Sequence, residues 1–193
     1  MLSKLNRVKK GEKGFTLIEL LVVAAIIGIL LAIAIPNLIK ARMSANEASA
    51  RKSMQTLRDA EGEYFEQDLD DQGGRDFTDA IGALGTAQSL RDPGGTSAEE
   101  DALIDSSFEA AEGAGCADPK AGYCLQGDFA AFTANGSGGF DDFGWQNSMS
   151  SFNKTGRRDF AVYGDGAIRC TLSTSATGAA GTFQALRTSP GCD

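Results

Sequence analysis

A carboxylate lies inside a long apolar run near the start of the chain. From Phe15 to Ile35, the run is interrupted only by Thr16, Glu19 and Gly28. A charged side chain near the centre of a bilayer costs on the order of 3 kcal/mol, so such a residue usually has a partner or a role. The chemistry open to Glu19 there is ion pairing with a cation that enters the same apolar medium. The alternative is that Glu19 lies near the membrane surface and extends its carboxylate to water.

A cut between Gly14 and Phe15 would supply such a cation. The new Phe15 ammonium would lie four residues before Glu19, on the same face of a helix. The ammonium could equally come from a neighbouring copy of the chain. A pair between copies would fix their axial register, because a shifted copy would leave both charges unpaired in an apolar medium. Either pairing would give the Glu19 carboxylate a partner within the apolar run.

The apolar run is long enough to cross a membrane as a helix. At about 1.5 Å per residue it spans roughly 32 Å, which exceeds the thickness of a bilayer core. The basic residues that precede it are Lys4, Arg7, Lys9, Lys10 and Lys13. The positive-inside rule then keeps residues 1–14 in the cytoplasm and directs the rest outward. A secretory signal peptide is the alternative, but its apolar core of about 7–15 residues would be shorter.

Composition argues against several classes of function. The net charge is −8, and the basic first 14 residues leave the remainder at −12. Such an acidic body argues against nucleic acid as its partner. The chain has no histidine, which removes the Ser–His and Cys–His nucleophilic pairs and the usual zinc ligands. We therefore expect no enzyme activity and no cofactor. We also expect no metal, because the acidic groups at 68–71 and 141–142 lack the ligand spacing of a calcium loop.

A long helix is predicted to continue beyond the membrane run. Pro36 would kink it, and Gly28 is a second weak point. The apolar stripe that follows, at spacings of three, four or seven residues, comprises Met43, Ala50, Met54, Leu57, Ala60 and Tyr64. We predict one kinked helix from about Phe15 to about Asp68. Its first half must lie in lipid or among sister helices, because a small domain cannot bury its whole length.

Strand patterns occupy the second half of the chain. Residues 122–132 and 143–152 predict two strands, and residues 159–172 predict a hairpin turning at Asp165 and Gly166, a strong tight-turn signal. Together with the long helix, these patterns predict an α+β fold. The helix would pack against an antiparallel sheet of about four strands.

The stretch between helix and sheet predicts loops with one short helix. Residues 71–115 are rich in Gly, Asp, Ser and Ala, which favours surface loops. Ser97 and Glu100 have the spacing of a capping box and precede apolar residues on one face. We therefore predict a helix from about 98 to 111.

The N-terminal residues resemble a known family. The stretch KGFTLIELLVVAAIIGILLAIAIP is similar to the type IV pilin signature, with a basic leader, Gly14, Phe15, Glu19 and an apolar run ending at Pro36. The resemblance implies that a prepilin peptidase cleaves after Gly14 and methylates the Phe15 amine. It implies that Glu19 neutralises the Phe15 amine of a neighbouring subunit. It also implies homopolymers built by inner-membrane pilus assembly machinery.

The resemblance implies a domain organisation and a function as well. Residues 1–14 would be the cleaved leader and 15–70 the long helix, of which 15–35 span the membrane and form the filament core. Residues 71–193 would form the head, with its αβ-loop, sheet and C-terminal disulfide-bounded loop. Before assembly the chain would cross the inner membrane once with the head outside, and afterwards it would lie in an extracellular pilus.

Three functions remain open at this point. The first is a structural subunit of a type IV pilus, used for adhesion, twitching motility, DNA uptake or a similar task. The second is a pseudopilin of a type II secretion system, which shares the N-terminal motif. The third is a membrane-tethered binding module whose helix is only an anchor. Replacing Glu19 would abolish assembly for the first two and leave the third unaffected.

Four cysteines, Cys116, Cys124, Cys170 and Cys192, permit three pairings. An outward head would reach an oxidising compartment, where they can form disulfides. We favour Cys116 with Cys124 and Cys170 with Cys192, the second closing a loop of about 20 residues. A Cys124–Cys170 bond between strands is the competing pairing. In the family that the N-terminus resembles, a disulfide near the C-terminus often bounds a variable surface loop.

Overall fold

The architecture is seen in a computed structural model. It describes residues 14–68, 74–113, 115–129, 132–134, 139–173, 183 and 185–192. Residues 1–13 of the predicted leader lie outside the described part, as do Asp70 and Asp71 of the acidic group at 68–71. The elements are α1 (Leu17–Gln67), a 3₁₀ turn (Glu99–Asp101), α2 (Ser106–Ala110), β1 (Tyr123–Gly127), β2 (Gly144–Met149), β3 (Arg158–Tyr163) and β4 (Ile168–Leu172). The predicted α+β fold is confirmed. The chain divides after Ile39 into two compact units, which are described separately.

The first unit carries the apolar part of α1. Its large apolar side chains are exposed along the whole segment from Phe15 to Ile39. The helix continues through Gly28 and Pro36 without interruption, although Pro36 removes one hydrogen-bond donor from the helical ladder. A kink at these two positions stays a prediction. Within the described residues, α1 is a helix long and apolar enough to cross a membrane.

The second unit is built on the amphipathic part of α1. The side chains of this part that join the hydrophobic core are Ala50, Met54, Leu57, Ala60 and Tyr64. They share the core with residues of the sheet, including Trp145 and Phe160. The predicted apolar stripe is thus confirmed from Ala50 onward, whereas Met43 is only half-buried. Burial of this stripe, rather than helix propensity, is what stabilises the second half of α1.

The sheet has the order β1-β2-β3-β4, with every neighbouring pair antiparallel. The β3–β4 hairpin turns where Asp165 and Gly166 predict it. Gly166 has a φ of 70°, and its N–H donates to the Tyr163 carbonyl at 2.7 Å. A positive φ of this size favours glycine. The predicted hairpin is therefore confirmed together with the number of strands.

Strand β2 is buried along its whole length although half of it is polar. On one face, Asn147 donates its side-chain N–H to the Ala50 carbonyl of α1 at 3.0 Å. On the other face, Gln146 donates to the carbonyl of Ala185 at 2.9 Å and to Tyr163 Oη at 3.1 Å. Both faces are covered, so the buried amides must be hydrogen-bonded. Because polar residues occupy buried positions in β2, its sequence gives a weaker strand signal than the sequence of β3.

The helix predicted over 98–111 is wrong in length. The structure has a single 3₁₀ turn and then the five-residue α2. Arg91, which is 2% exposed, binds both Glu99 carboxylate oxygens at 2.8 Å and the Ile104 carbonyl at 2.9 Å. The Leu103 N–H donates to the Leu90 carbonyl at 3.0 Å. These contacts hold the backbone after the 3₁₀ turn against residues 90 and 91, which prevents a continuous helix.

Two disulfides join Cys116 to Cys124 and Cys170 to Cys192. This is the pairing that the sequence favoured, and the competing Cys124–Cys170 bond is wrong. The second bond holds the end of the chain against β4. There the Cys170 N–H donates to the Pro190 carbonyl at 3.0 Å, and the Cys192 N–H donates to the Ile168 carbonyl at 3.3 Å.

Removing the C-terminal disulfide should destabilise the head. We expect Cys170→Ser with Cys192→Ser to lower the free energy of unfolding by about 3 kcal/mol, because the bond restricts a loop of this length in the unfolded chain. The measurement is denaturant unfolding of the full chain in detergent, followed by the fluorescence of Trp145, the single tryptophan. Comparing both proteins with and without a reductant isolates the contribution of the remaining bond. An unchanged midpoint would contradict the expectation.

Candidate processing and assembly site

Gly14 and Phe15 lie at the surface, immediately before α1. The Phe15 side chain is 84% exposed. A Cβ atom added to Gly14 would meet no heavy atom within 4 Å. Gly14 also has no left-handed backbone angle. The packing and backbone of the described residues therefore do not require a glycine at position 14.

The Glu19 carboxylate caps the helix to which it belongs. The backbone N–H and the hydroxyl of Thr16 donate to Glu19 Oε2 at 3.0 and 2.6 Å. The Glu19 N–H donates back to Thr16 Oγ1 at 3.3 Å. This reciprocal arrangement is a capping box, which satisfies donors that the first turn of a helix leaves unpaired. Thr16 was not among the predicted residues, although Thr-x-x-Glu before an apolar run is the signal for a capping box.

The capping box leaves part of the carboxylate available. Glu19 Oε1 takes no part in it, so that oxygen can accept an ammonium group. The carboxylate lies beside a shallow concavity of about 380 Å³, lined by Phe15, Ile18, Glu19, Val22 and Val23. A cation brought here by an apolar segment would meet one carboxylate in apolar surroundings. Ion pairs are stronger in such surroundings than in water.

The remaining predicted residues lie elsewhere. Gly28 and Pro36 are internal to α1, and a Cβ on Gly28 would meet no atom beyond the helix backbone itself within 4 Å. The disulfide cysteines lie in the second unit. The structure thus brings together Phe15, Thr16 and Glu19 at the start of α1. No group of three or more metal-ligating side chains is found in the part of the chain that the structure describes.

A buried carboxylate, Glu61, was not predicted from the sequence. It lies on α1, accepts the Trp145 Nε1–H at 2.7 Å and the Thr78 N–H at 3.3 Å, and is fully buried. Burial raises the pKa of Glu61 to about 8, although both hydrogen bonds favour the carboxylate. Its spacing is the signal that was overlooked, because Glu61 lies four residues after Leu57 and three before Tyr64, on the buried face of α1.

Comparisons with known proteins match the same N-terminal region. The family model of the prokaryotic N-terminal methylation motif matches residues 9–35. The type IV major pilin protein PilA of Myxococcus xanthus is 42% identical over 64 residues, which is 33% of this chain and 29% of that protein. The type IV wide pilus major component PilA4 of Thermus thermophilus is 63% identical over 38 residues, or 20% of this chain and 29% of that protein. No solved structure gives a significant match.

The matches thus span less than a third of each relative. By their names, one relative is a major pilin and the other is a major component of a wide pilus. The matched region contains the residues of the candidate site, from Gly14 to Glu19. The methylation motif and the two relatives thus show that the N-terminal region of this chain is similar to that of type IV pilins.

Proposed function

We propose that the chain is a structural subunit of a type IV pilus. The observation that carries the proposal is the exposed apolar segment of α1 with one carboxylate near its start. A soluble protein rarely exposes a continuous apolar surface of this size, so the segment needs lipid or other protein around it. A membrane can supply the lipid, and a bundle of sister helices can supply the surrounding protein.

Processing is the first step of the proposed function. We infer that a prepilin peptidase cuts between Gly14 and Phe15 on the cytoplasmic side of the inner membrane and methylates the new amine. The surface position of both residues supports access. Gly14 has no role in the packing of the described residues, so a requirement for glycine would come from the enzyme that reads it. Cleavage would separate the basic residues 1–14 from the apolar helix.

Assembly follows from the charge that cleavage creates. The Phe15 amine of one copy would pair with Glu19 of another as their helices leave the lipid. An unpaired charge in an apolar medium costs several kcal/mol, so the pair would favour one axial register over its neighbours. Before this step the chain would cross the inner membrane once, with its disulfide-bonded head outside. Afterwards it would lie in an extracellular filament serving adhesion, twitching motility or DNA uptake.

A pseudopilin of a type II secretion system is the second candidate function. The methylation motif supports it as well, because the motif alone does not distinguish the two classes. Both relatives, however, are named as major components of type IV pili, which favours the pilus. A membrane anchor without assembly is supported least, since it gives Glu19 no partner.

Deleting the gene in the source cell and restoring it on a plasmid tests this proposal. We expect surface filaments, seen by electron microscopy, to disappear on deletion and to return on complementation. The protein should be recovered in the fraction sheared from the cells. If the filaments persist in the deletion strain, and the protein of wild-type cells stays in the inner membrane, the pseudopilin becomes the better account.

A further inference from the structure

A basic groove lies where α1 meets the sheet, in spite of the acidic character of the whole chain. It has a volume of about 340 Å³, and its lining includes Arg51 and Lys52 of α1 and Arg158 of β3. Within the described residues, these three cations form no ion pair. The one carboxylate in the lining, Glu47, accepts the Arg157 N–H at 2.9 Å. The groove therefore presents positive charge to solvent.

An acidic groove lies further along the same helix. It has a volume of about 470 Å³, and its charged lining residues are Glu63, Glu100 and Asp101. Glu63 accepts a hydrogen bond from Gln67 at 2.8 Å and Asp101 accepts one from Thr96 at 2.5 Å. Among the described residues, no cation is paired with any of the three carboxylates. This groove presents negative charge to solvent.

The two grooves have different positions on α1. Arg51 and Glu63 are separated by roughly 18 Å along the helix axis and by roughly 120° around it. One copy can therefore offer each groove to a different neighbour. A contact between two unlike surfaces of identical chains is heterologous, and its repetition builds an open filament when the rotation does not close a ring.

We propose that the basic groove of one copy binds the acidic groove of a second copy in the assembled filament. This inference rests on the proposed function, because it assigns a contact between neighbouring copies in the same polymer. The occupant is another copy of this chain, since the chain itself carries a surface of opposite charge with no partner of its own. Complementary charge between copies also selects one orientation, because like charges brought together oppose the alternatives.

Charge reversal at each groove tests the pairing. Arg51→Glu with Lys52→Glu should reduce the pilin in the sheared fraction roughly tenfold, since attraction is replaced by repulsion at two exposed pairs. Glu63→Lys with Glu100→Lys should do the same. The fourfold variant restores opposite charges across the contact, so it should recover filaments to within about twofold of wild type. Trp145 fluorescence of each variant in detergent checks that its head is folded.

The outcomes separate this inference from the proposed function. If wild-type cells form no filaments of this protein, the proposed function fails. If wild-type filaments form and both reversals leave their yield unchanged, the pairing of grooves is overturned while the pilus subunit stands. A fourfold variant that fails to assemble would also overturn the pairing, because opposite charges across the contact would not have restored it. A loss of filaments confined to the basic reversal would overturn it as well, because the basic groove would then have another occupant.

A covalent cross-link gives an independent measurement. The described cysteines are all in disulfides, so new cysteines report on new contacts. Filaments of a chain with both Lys52→Cys and Glu100→Cys should give a ladder of covalent multimers on a non-reducing gel. Each single variant should remain monomeric. Dimers from a single variant would indicate a contact between like grooves and would contradict the heterologous arrangement.

Discussion

Replacing Glu19 with glutamine should nearly abolish filaments. We expect the amount of pilin in the sheared fraction to fall at least about 100-fold, because each Phe15 ammonium would enter an apolar core without a counter-charge, at a cost of about 3–5 kcal/mol. Synthesis and cleavage at Gly14 should continue, so processed protein should accumulate in the membrane. Immunoblots of sheared and membrane fractions measure both.

Two variants separate the ion pair from other effects of the substitution. Thr16→Val removes the hydroxyl of the capping box and leaves the Glu19 carboxylate in place, so filaments should still form. Glu66→Gln neutralises an exposed carboxylate elsewhere on the same helix and should have no effect. If Thr16→Val lost assembly as fully as Glu19→Gln, the role of Glu19 would be that of a helix cap. Normal filaments from Glu19→Gln would contradict the ion pair altogether.

Replacing Glu61 with alanine should destabilise the head by about 4 kcal/mol. The substitution leaves the Trp145 and Thr78 N–H groups unpaired in the core and opens a cavity. Glu61→Gln should cost less, because it keeps the volume and one acceptor. Denaturant unfolding of the full chain in detergent measures both variants, and Trp145 reports directly on this environment. A loss below about 1 kcal/mol for alanine would show that Glu61 does not hold α1 to the sheet.

The same residue predicts a dependence of stability on pH. Burial raises the pKa of Glu61 from 4.5 to about 8, so between these values the folded head holds a proton that the unfolded chain has lost. The contribution of this proton to the free energy of unfolding is complete below pH 4.5 and is lost as the pH rises through 8. Between the two values, the free energy of unfolding falls with a slope approaching about 1.4 kcal/mol per pH unit. Glu61→Gln should lose this part of the slope. Equal slopes in the two proteins would contradict the shifted pKa.

Local signals were sufficient to predict the long helix and the β3–β4 hairpin, but not the short helix between helix and sheet. The length of the apolar run, the stripe from Ala50 to Tyr64 and the turn at Asp165 and Gly166 each depend on neighbouring residues, and each prediction is confirmed by the fold. The helix predicted over 98–111 is wrong because Arg91, outside the pattern, binds the backbone and side chain that the helix would have used. A capping-box spacing cannot reveal a competing partner of this kind.

The candidate site was predictable in part, for the same physical reason. Glu19 is conspicuous in the sequence because a carboxylate within an apolar run needs a partner. Phe15 follows from it, because an amine at Phe15 would supply that partner. Glu61 was not predicted, although its spacing from Leu57 and Tyr64 places it on the buried face of α1. Its hydrogen-bond partner was not predictable, since only the packed sheet places Trp145 opposite it. The basic groove likewise depends on Arg158 of β3 approaching Arg51 of α1 from more than 100 residues away. Charged residues this far apart in sequence line the same groove only in the folded chain, so the groove could not be predicted from the sequence.

Mass spectrometry of filaments sheared from the source cell tests the central claim most directly. We predict that the dominant species begins at N-methylated Phe15, lacks residues 1–14 and retains two disulfides. That result would establish the chain as a processed pilin in a surface filament. Recovery of chains that still carry Met1 and Lys4 from native filaments would contradict the account. So would a processed form confined to the inner membrane and absent from the sheared fraction.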